Sequence, residues 1–346
     1  MKRVLKQVVG IDVAQKELVV SLGQLYEDLS TEMISSRVFV NKREGFVALT
    51  DWAAKHSDPD LEIGYVMEAT GVYHESLAYW LADKACRVSI VLPNKISNYA
   101  RTLEVKTVTD RTASQAITRF GLERQLDDWK KPSVIFRKIR QLTRERDQVV
   151  HHRTITKNQL HAEQAEAEPN KNTVLRLKKQ IRFFNEQEKQ IKAELESLIK
   201  QDKNVNASVS LLCSLSGIGR LTAATVLGET NNFELFRNKR QLTSYCGLDV
   251  REKQSGTSIK GKARISKRGN KYLRKALHLP ALAAIRSDDR FKAIFARLVS
   301  RHGIKMKAVV AVQRKLLEIM FTLHKTQQPY DKEYFKKLES SLTATP

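Results

Sequence analysis

Sulfur chemistry is nearly missing from this chain. Its 346 residues include three cysteines, Cys86, Cys213 and Cys246, far apart and without a CxxC pair. That spacing excludes a disulfide framework and a zinc ribbon, and a reducing, cytoplasmic setting is expected. No apolar run reaches the ~18 residues of a membrane-spanning helix, so no membrane partner is expected. The start, MKRVLKQVVGIDVAQKE, is basic but lacks the apolar stretch and small-residue cleavage site of a signal peptide. Acid is scarce relative to base: 38 Asp and Glu against 61 Lys and Arg give a formal net charge of +23. An excess that large points to a polyanionic partner, nucleic acid.

What is present divides into stretches of different texture. The first part alternates strand-like and helix-like segments, as an α/β domain does. Strands are expected at Lys6–Asp12, Glu17–Leu22, Arg37–Val40, Ile63–Glu68 and Val88–Leu92, and helices at Glu44–Lys55, Tyr73–Asp83 and Ala113–Phe120. Three antiparallel strands followed by alternating helices and strands is the order of a ribonuclease-H-like fold. Residues 133–201 contain no glycine, and their one proline, Pro169, splits them into two long helices. Val174, Leu177, Ile181, Phe184, Ile191, Leu195 and Leu198 alternate steps of three and four, the spacing of a coiled-coil seam, which Glu188 interrupts. An antiparallel hairpin and an intermolecular coiled coil both fit. Beyond Lys203 the chain turns globular and mainly helical. The domains are set at 1–130, 131–203 for the helical linker, 204–330, and 331–346 for a tail.

Three acids stand where a fold delivers functional groups. Asp12 ends an apolar strand, Glu68 ends a second before Thr70-Gly71, and Asp110 opens the helix DRTASQAITRFG. Singly, Asp12 reads as a turn former, Glu68 as a solvated strand end and Asp110 as a helix N-cap. Converging on one point, they would repel unless hard divalent cations neutralised them, which favours Mg²⁺ or Mn²⁺. Such ions polarise a phosphodiester and stabilise attacking and leaving oxygens.

In the C-terminal part, LLCSLSGIGRLTAATVLGE reads as helix, turn, helix, with Leu215, Ile218, Leu221 and Ala224 holding the helices together. Gly217 and Gly219 permit a tight turn with exposed amides, and Arg220 opens the second helix, a helix-hairpin-helix suited to phosphates. Residues 237–275 carry thirteen Lys and Arg against Asp249 and Glu252, a density that implies steep salt dependence of binding. Within it, Ser255 precedes a glycine, and Lys253, Lys260, Lys262 and Arg264 could stabilise developing negative charge. Lys267, Arg268 and Lys271 extend the phosphate-binding stretch. A serine in such a loop also reads as a plain phosphate contact or turn former.

Taken together, VVGIDVAQKELVVSL, VMEATGVYHESLAYWL, DRTASQAITRFG, LSGIGRLTAATVLGE and LTSYCGLDVREKQSGTSIKGKARISKRGNKYLRKAL resemble the transposases of the IS110 family of bacterial insertion sequences. The resemblance implies a RuvC-like N-terminal domain, a coiled-coil linker and a C-terminal transposase domain with a serine nucleophile. It also implies a bridge RNA that pairs with donor and target DNA, and a dimer of dimers sharing active sites between protomers. Asp12, Glu68 and Asp110 match the first three acids of the family's four-carboxylate site, while Ala113 stands where the fourth is expected. Ser255 best matches the nucleophile, with Ser258 as fallback. The expected function is a DNA recombinase that cuts and rejoins strands. A junction-resolving nuclease without a covalent intermediate and a non-enzymatic basic nucleic-acid-binding protein are the alternatives.

Overall fold

A computed structural model describes residues 2–69, 71–103, 107, 109–251, 254–255, 259–260 and 264–333, with backbone alone at 254–255 and 259–260. Its chain falls into two compact units, Met1–Lys131 and Pro132–Pro346.

The first unit is a mixed sheet covered by helices on both faces. Its elements are β1 (Val4–Val13), β2 (Glu17–Tyr26), β3 (Thr31–Val40), α1 (Arg43–His56), β4 (Ile63–Glu68), α2 (Glu75–Asp83), β5 (Arg87–Val91), α3 (Pro93–Ala100) and α4 (Asp110–Glu123). The sheet order is β3-β2-β1-β4-β5. β1, β2 and β3 are antiparallel neighbours, whereas β4 runs parallel to β1 and β5 parallel to β4. This is the succession expected from the sequence, with α3 and the first half of β3 added. β3 is an edge strand and mostly exposed, so it lacks the apolar run that reveals β1.

Burial on β1 explains its sequence. Val9, Ile11 and Val13 pack with Phe46, Leu49, Trp52, Leu77 and Leu81, from α1 and α2. Val8 faces the other way, with Val66, Ile96, Ile117 and Leu122. Side chains alternate along a strand, so Val8, Gly10 and Asp12 share the face covered by α4. The same rule puts Val66 and Glu68 of β4 on that face.

The second unit begins with a long helical hairpin, α5 (Val134–Ala165) and α6 (Lys171–Gln201). It is antiparallel within one chain: Arg146 and Arg153 of α5 both reach Glu188 of α6, and His152 stacks on Phe184. Glu188 corrects the expectation of a broken seam. It is 6% exposed and ion-paired to Arg146, Arg153 and Lys192. Burial opposes its charge, yet hydrogen bonds from Lys192, Arg146 and Arg153 hold its carboxyl down to about 2.

The hairpin base shares one core with the rest of the unit: Phe136, Ile139, Leu142, Ile191, Leu195 and Ile199 join the cluster of the later helices. These are α7 (Lys203–Cys213), α8 (Arg220–Thr230) and α9 (Lys239–Cys246), then two short strand pairs. β6 (Val250–Arg251) pairs with β9 (Arg264–Ile265), and between them in sequence β7 (Gln254–Ser255) pairs with β8 (Ile259–Lys260). α10 (Lys271–Ala276), α11 (His278–Ser287), α12 (Asp289–His302) and α13 (Lys305–Thr326) complete the unit. Among the described residues, no helix is long and apolar enough to cross a membrane.

Candidate active site

Helix α4 lies along β1 in the opposite direction, and named contacts fix its course. Near the start of β1, Lys6 Nζ donates to the carbonyls of Gly121 and Arg124, at 2.5 and 2.9 Å. Midway, a Cβ on Gly10 would lie 2.4 Å from both Thr118 N and Thr118 Oγ1 and 2.7 Å from Ser114 O. Only glycine lets the helix come this near the strand. A buried hydroxyl chain then ties α4 to β2: Ser114 and Ser21 share a hydrogen bond of 2.8 Å, and Thr118 Oγ1 donates to Ser21 O at 2.9 Å. From Lys6 to Asp12 the strand advances about 20 Å, and from Gly121 back to Asp110 the helix advances about 16 Å. The first residue of α4 therefore arrives at the strand end that carries Asp12.

Asp12, Glu68 and Asp110 all lie toward that end of the unit. β1 and β4 are in register at Ile11 and Met67, so Asp12 and Glu68 are the next residues on adjacent parallel strands. Asp110 is the first helical residue of α4 and exposed. It is not the N-cap: that position is Thr109, whose hydroxyl accepts from Thr112 N in a capping box.

Asp12 feels both other acids. Asp12 is pushed up to about 6, chiefly by burial, then by the negative charges of Asp110 and Glu68, against a hydrogen bond with the Val13 backbone. Carboxylates are hard oxygen donors, a chemistry that suits Mg²⁺ or Mn²⁺. Among the described residues, however, no three His, Cys, Asp or Glu side chains are drawn together as a ligand cluster. Ala113, one turn into α4 and half-buried, is on the Asp110 side of the helix by its three-residue spacing, so an acid there would face the same point.

In the second unit the serine lies on a short β-arm. Ser255 pairs by backbone with Ile259, and Gln254 with Lys260. Lys253, Ser258 and Lys262 lie outside the described residues, as do the side chains of Ser255 and Lys260. Arg264, Lys267, Arg268 and Lys271 are exposed along the returning leg. The base of the arm is fastened firmly: Ser266 Oγ donates to Asp249 Oδ1 at 2.5 Å and Asn270 N to Tyr245 O at 2.7 Å. A Cβ on Gly269, at φ +138°, would lie 2.2 Å from Tyr245 O, so the return leg turns where only glycine fits.

Beneath the base lies a group that the sequence pattern does not single out. Glu229, its side chain fully buried, takes two hydrogen bonds from Arg144 at 2.6 and 2.7 Å and one from Asn270 Nδ2 at 2.6 Å. Arg144 also covers the Tyr272 ring, 4.5 Å from its centroid. One carboxylate thus joins α5, α8 and the leg leaving the serine arm. The one signal in the sequence is an acid in the apolar helix RLTAATVLGET, where a solvated residue would be out of place.

The glycine turn divides into two parts. Gly217, at φ +86°, is packed on α11, where a Cβ would lie 2.6 Å from Pro280 O and 2.8 Å from Ala284 N. Gly219 is exposed, with no atom within 4 Å of a Cβ, and precedes α8 without a side-chain cap. Arg220 is engaged: it donates to Glu196 and Asn206, each at 2.9 Å. It joins α8 to α6 and α7, and its paired charge is partly spent before any phosphate arrives.

Comparisons with known proteins add to this geometry. Residues 9–164 match a transposase family of DEDD type from IS110 elements, and residues 209–296 match the transposase family IS116/IS110/IS902. The chain is 30% identical over 295 residues to the pilin gene-inverting protein of Moraxella lacunata, covering 85% of this chain and 90% of that protein. It is 31% identical over 143 residues to the transposase for insertion sequence element IS1111A of Coxiella burnetii, covering 40% of this chain and 38% of that one. Among solved structures, T. thermophilus RuvC in complex with Holliday junction substrate aligns with 34% of this chain and 97% of its own, at 11% identity and a TM-score of 0.26.

Proposed function

The chain belongs to the IS110 family of transposases, a DNA transposase or recombinase, and from that premise we propose a mechanism in which Asp12, Glu68 and Asp110 hold Mg²⁺ and Ser255 attacks the DNA. The observation that carries the acid half is Asp12, raised to about 6 by burial and by Asp110 and Glu68 across the strand ends. A bound divalent cation would supply charge neutralisation at the phosphate. The chain's own acids would hold it, with α4 anchored to β1 and β2 through Gly10, Ser114 and Thr118.

In the covalent step the Ser255 hydroxyl oxygen forms a bond to phosphorus as the bond from phosphorus to the leaving strand's oxygen breaks. The hydroxyl proton passes to solvent, and the departing oxygen takes one up. Attack by a strand hydroxyl on the phosphoserine reverses the exchange and rejoins DNA without another energy source. Arg264, Lys267, Arg268 and Lys271 line the leg behind the serine and offer phosphate contacts whose strength falls with salt. The exposed amide end of α8 at Gly219 offers a further sequence-independent contact. Choice of donor and target DNA falls to a bridge RNA, with the protein working as a dimer of dimers.

The test uses end-labelled DNA carrying the element's termini, incubated with copurified RNA and Mg²⁺. A protein–DNA adduct resistant to denaturant should form with the wild type and be absent from Ser255→Ala. An adduct that persists in Ser255→Ala and disappears in Ser258→Ala moves the nucleophile to Ser258. Cleavage by Ser255→Ala at the wild-type rate with no adduct favours the junction-nuclease reading.

A further inference from the structure

We propose that Asn41 is a positioning residue that sets the spacing between Asp12 and Glu68, and so the affinity of their site for a divalent cation. The inference rests on the acid-site reading above.

β1 and β4 remain in register only as far as Ile11 and Met67. Beyond that pair, the chain after Asp12 turns into β2, and the chain after Glu68 enters the loop to α2. Asn41 spans the gap. Its Nδ2 donates to Ala14 O at 2.9 Å and to Tyr73 O at 3.2 Å. Its backbone N donates to Lys16 O at 2.9 Å. One amide therefore joins the turn two residues after Asp12 to the loop five residues after Glu68.

The residue is held stiffly enough to act as a spacer. Asn41 follows the last residue of β3, and Lys42 N donates back to Val40 O at 2.8 Å. A Cβ on Gly45 would lie 2.0 Å from Val40 O, so the first turn of α1 folds hard against the end of β3. Among the described residues, Asn41 Oδ1 is buried and has no hydrogen-bond partner. The two donors are what the position uses. The sheet's other end offers an internal comparison: Gln7 Nε2 donates to Asp58 O and Leu61 O at 2.9 and 2.6 Å. It clamps a loop in the same manner, far along the strands from the acids.

Groups that orient metal ligands from behind typically change affinity 10- to 100-fold when removed. Mn²⁺ binding to the full chain, followed by its electron paramagnetic resonance signal without DNA, reads this directly. Asn41→Ala and Asn41→Leu should each weaken Mn²⁺ binding about tenfold or more, while Gln7→Ala stays within about twofold of wild type. Cleavage by the Asn41 variants should recover at high Mn²⁺. Asn41 variants that bind Mn²⁺ like wild type overturn the proposal, and so does an equal loss in Gln7→Ala, which would make the effect one of general stability. A wild-type protein that binds no Mn²⁺ overturns the acid-site reading itself, and is distinguished by needing no variant.

Discussion

Replacing Asp12 by Asn should make the metal-free protein more stable while removing its response to Mg²⁺. In the wild type this carboxyl is pushed up from 3.8 to about 6. A shift of roughly two units corresponds to about 3 kcal/mol. Asp12 is only partly buried, so solvent screening cuts this to about 1–1.5 kcal/mol. Linkage sets the sign. A raised acid binds its proton more tightly folded than unfolded, so its ionisation destabilises the fold as pH rises from about 4 through about 6. At pH 7.5 in EDTA the wild type carries the full penalty. Asp12→Asn keeps the shape and an acceptor for the Val13 amide but carries no charge. For a unit of this size the gain is about 3–5 °C in melting temperature. Scanning calorimetry of the full chain, with the transition of the first unit followed separately, is the assay. The gain should vanish near pH 4, where wild-type Asp12 is protonated. Added Mg²⁺ should then raise the wild-type transition at pH 7.5 and leave Asp12→Asn where it was. A variant no more stable than wild type in EDTA at pH 7.5, or equally stabilised at both pH values, would refute the raised proton affinity of Asp12.

Other perturbations test the supports. Glu229→Leu leaves the partly exposed Arg144 guanidinium and Asn270 Nδ2 without their acceptor and should cost about 1–3 kcal/mol in denaturant titrations; a loss below about 0.5 kcal/mol would show the pair to be dispensable. Gly10→Ala drives a methyl into Thr118 and should cost about 1–3 kcal/mol, with weaker Mn²⁺ binding because α4 carries Asp110. Glu188, held down to about 2 by its three cations, contributes stability that is complete above about pH 4.5 and lost as pH falls towards 2. In Glu188→Gln the acid-induced loss of helical circular dichroism over that window should shrink, and an unchanged profile would place the wild-type loss at other groups.

The strand and helix periods of the first unit are local properties, and the sequence by itself determined them. VVGIDV and IGYVME carry enough β-branched and apolar residues to form buried strands wherever they lie, and each ends on or beside its acid. The basic stretch around Ser255 is likewise plain from charge alone, as are two long helices parted at Pro169. Tertiary structure decided what those elements bring together. That α4 runs back along β1, bringing Asp110 toward the strand end that carries Asp12, depends on a glycine and two hydroxyls that carry no pattern of their own. Glu188 looked like a flaw in an apolar seam because its counterions, Arg146 and Arg153, come from the other arm of the hairpin. Asn41 was invisible for the same reason, and Glu229 showed only as an acid in an apolar helix: each is defined by hydrogen-bond partners distant in the chain. Periodicity reports which face of an element is buried, whereas the partner of a buried polar group is fixed only when the chain has folded.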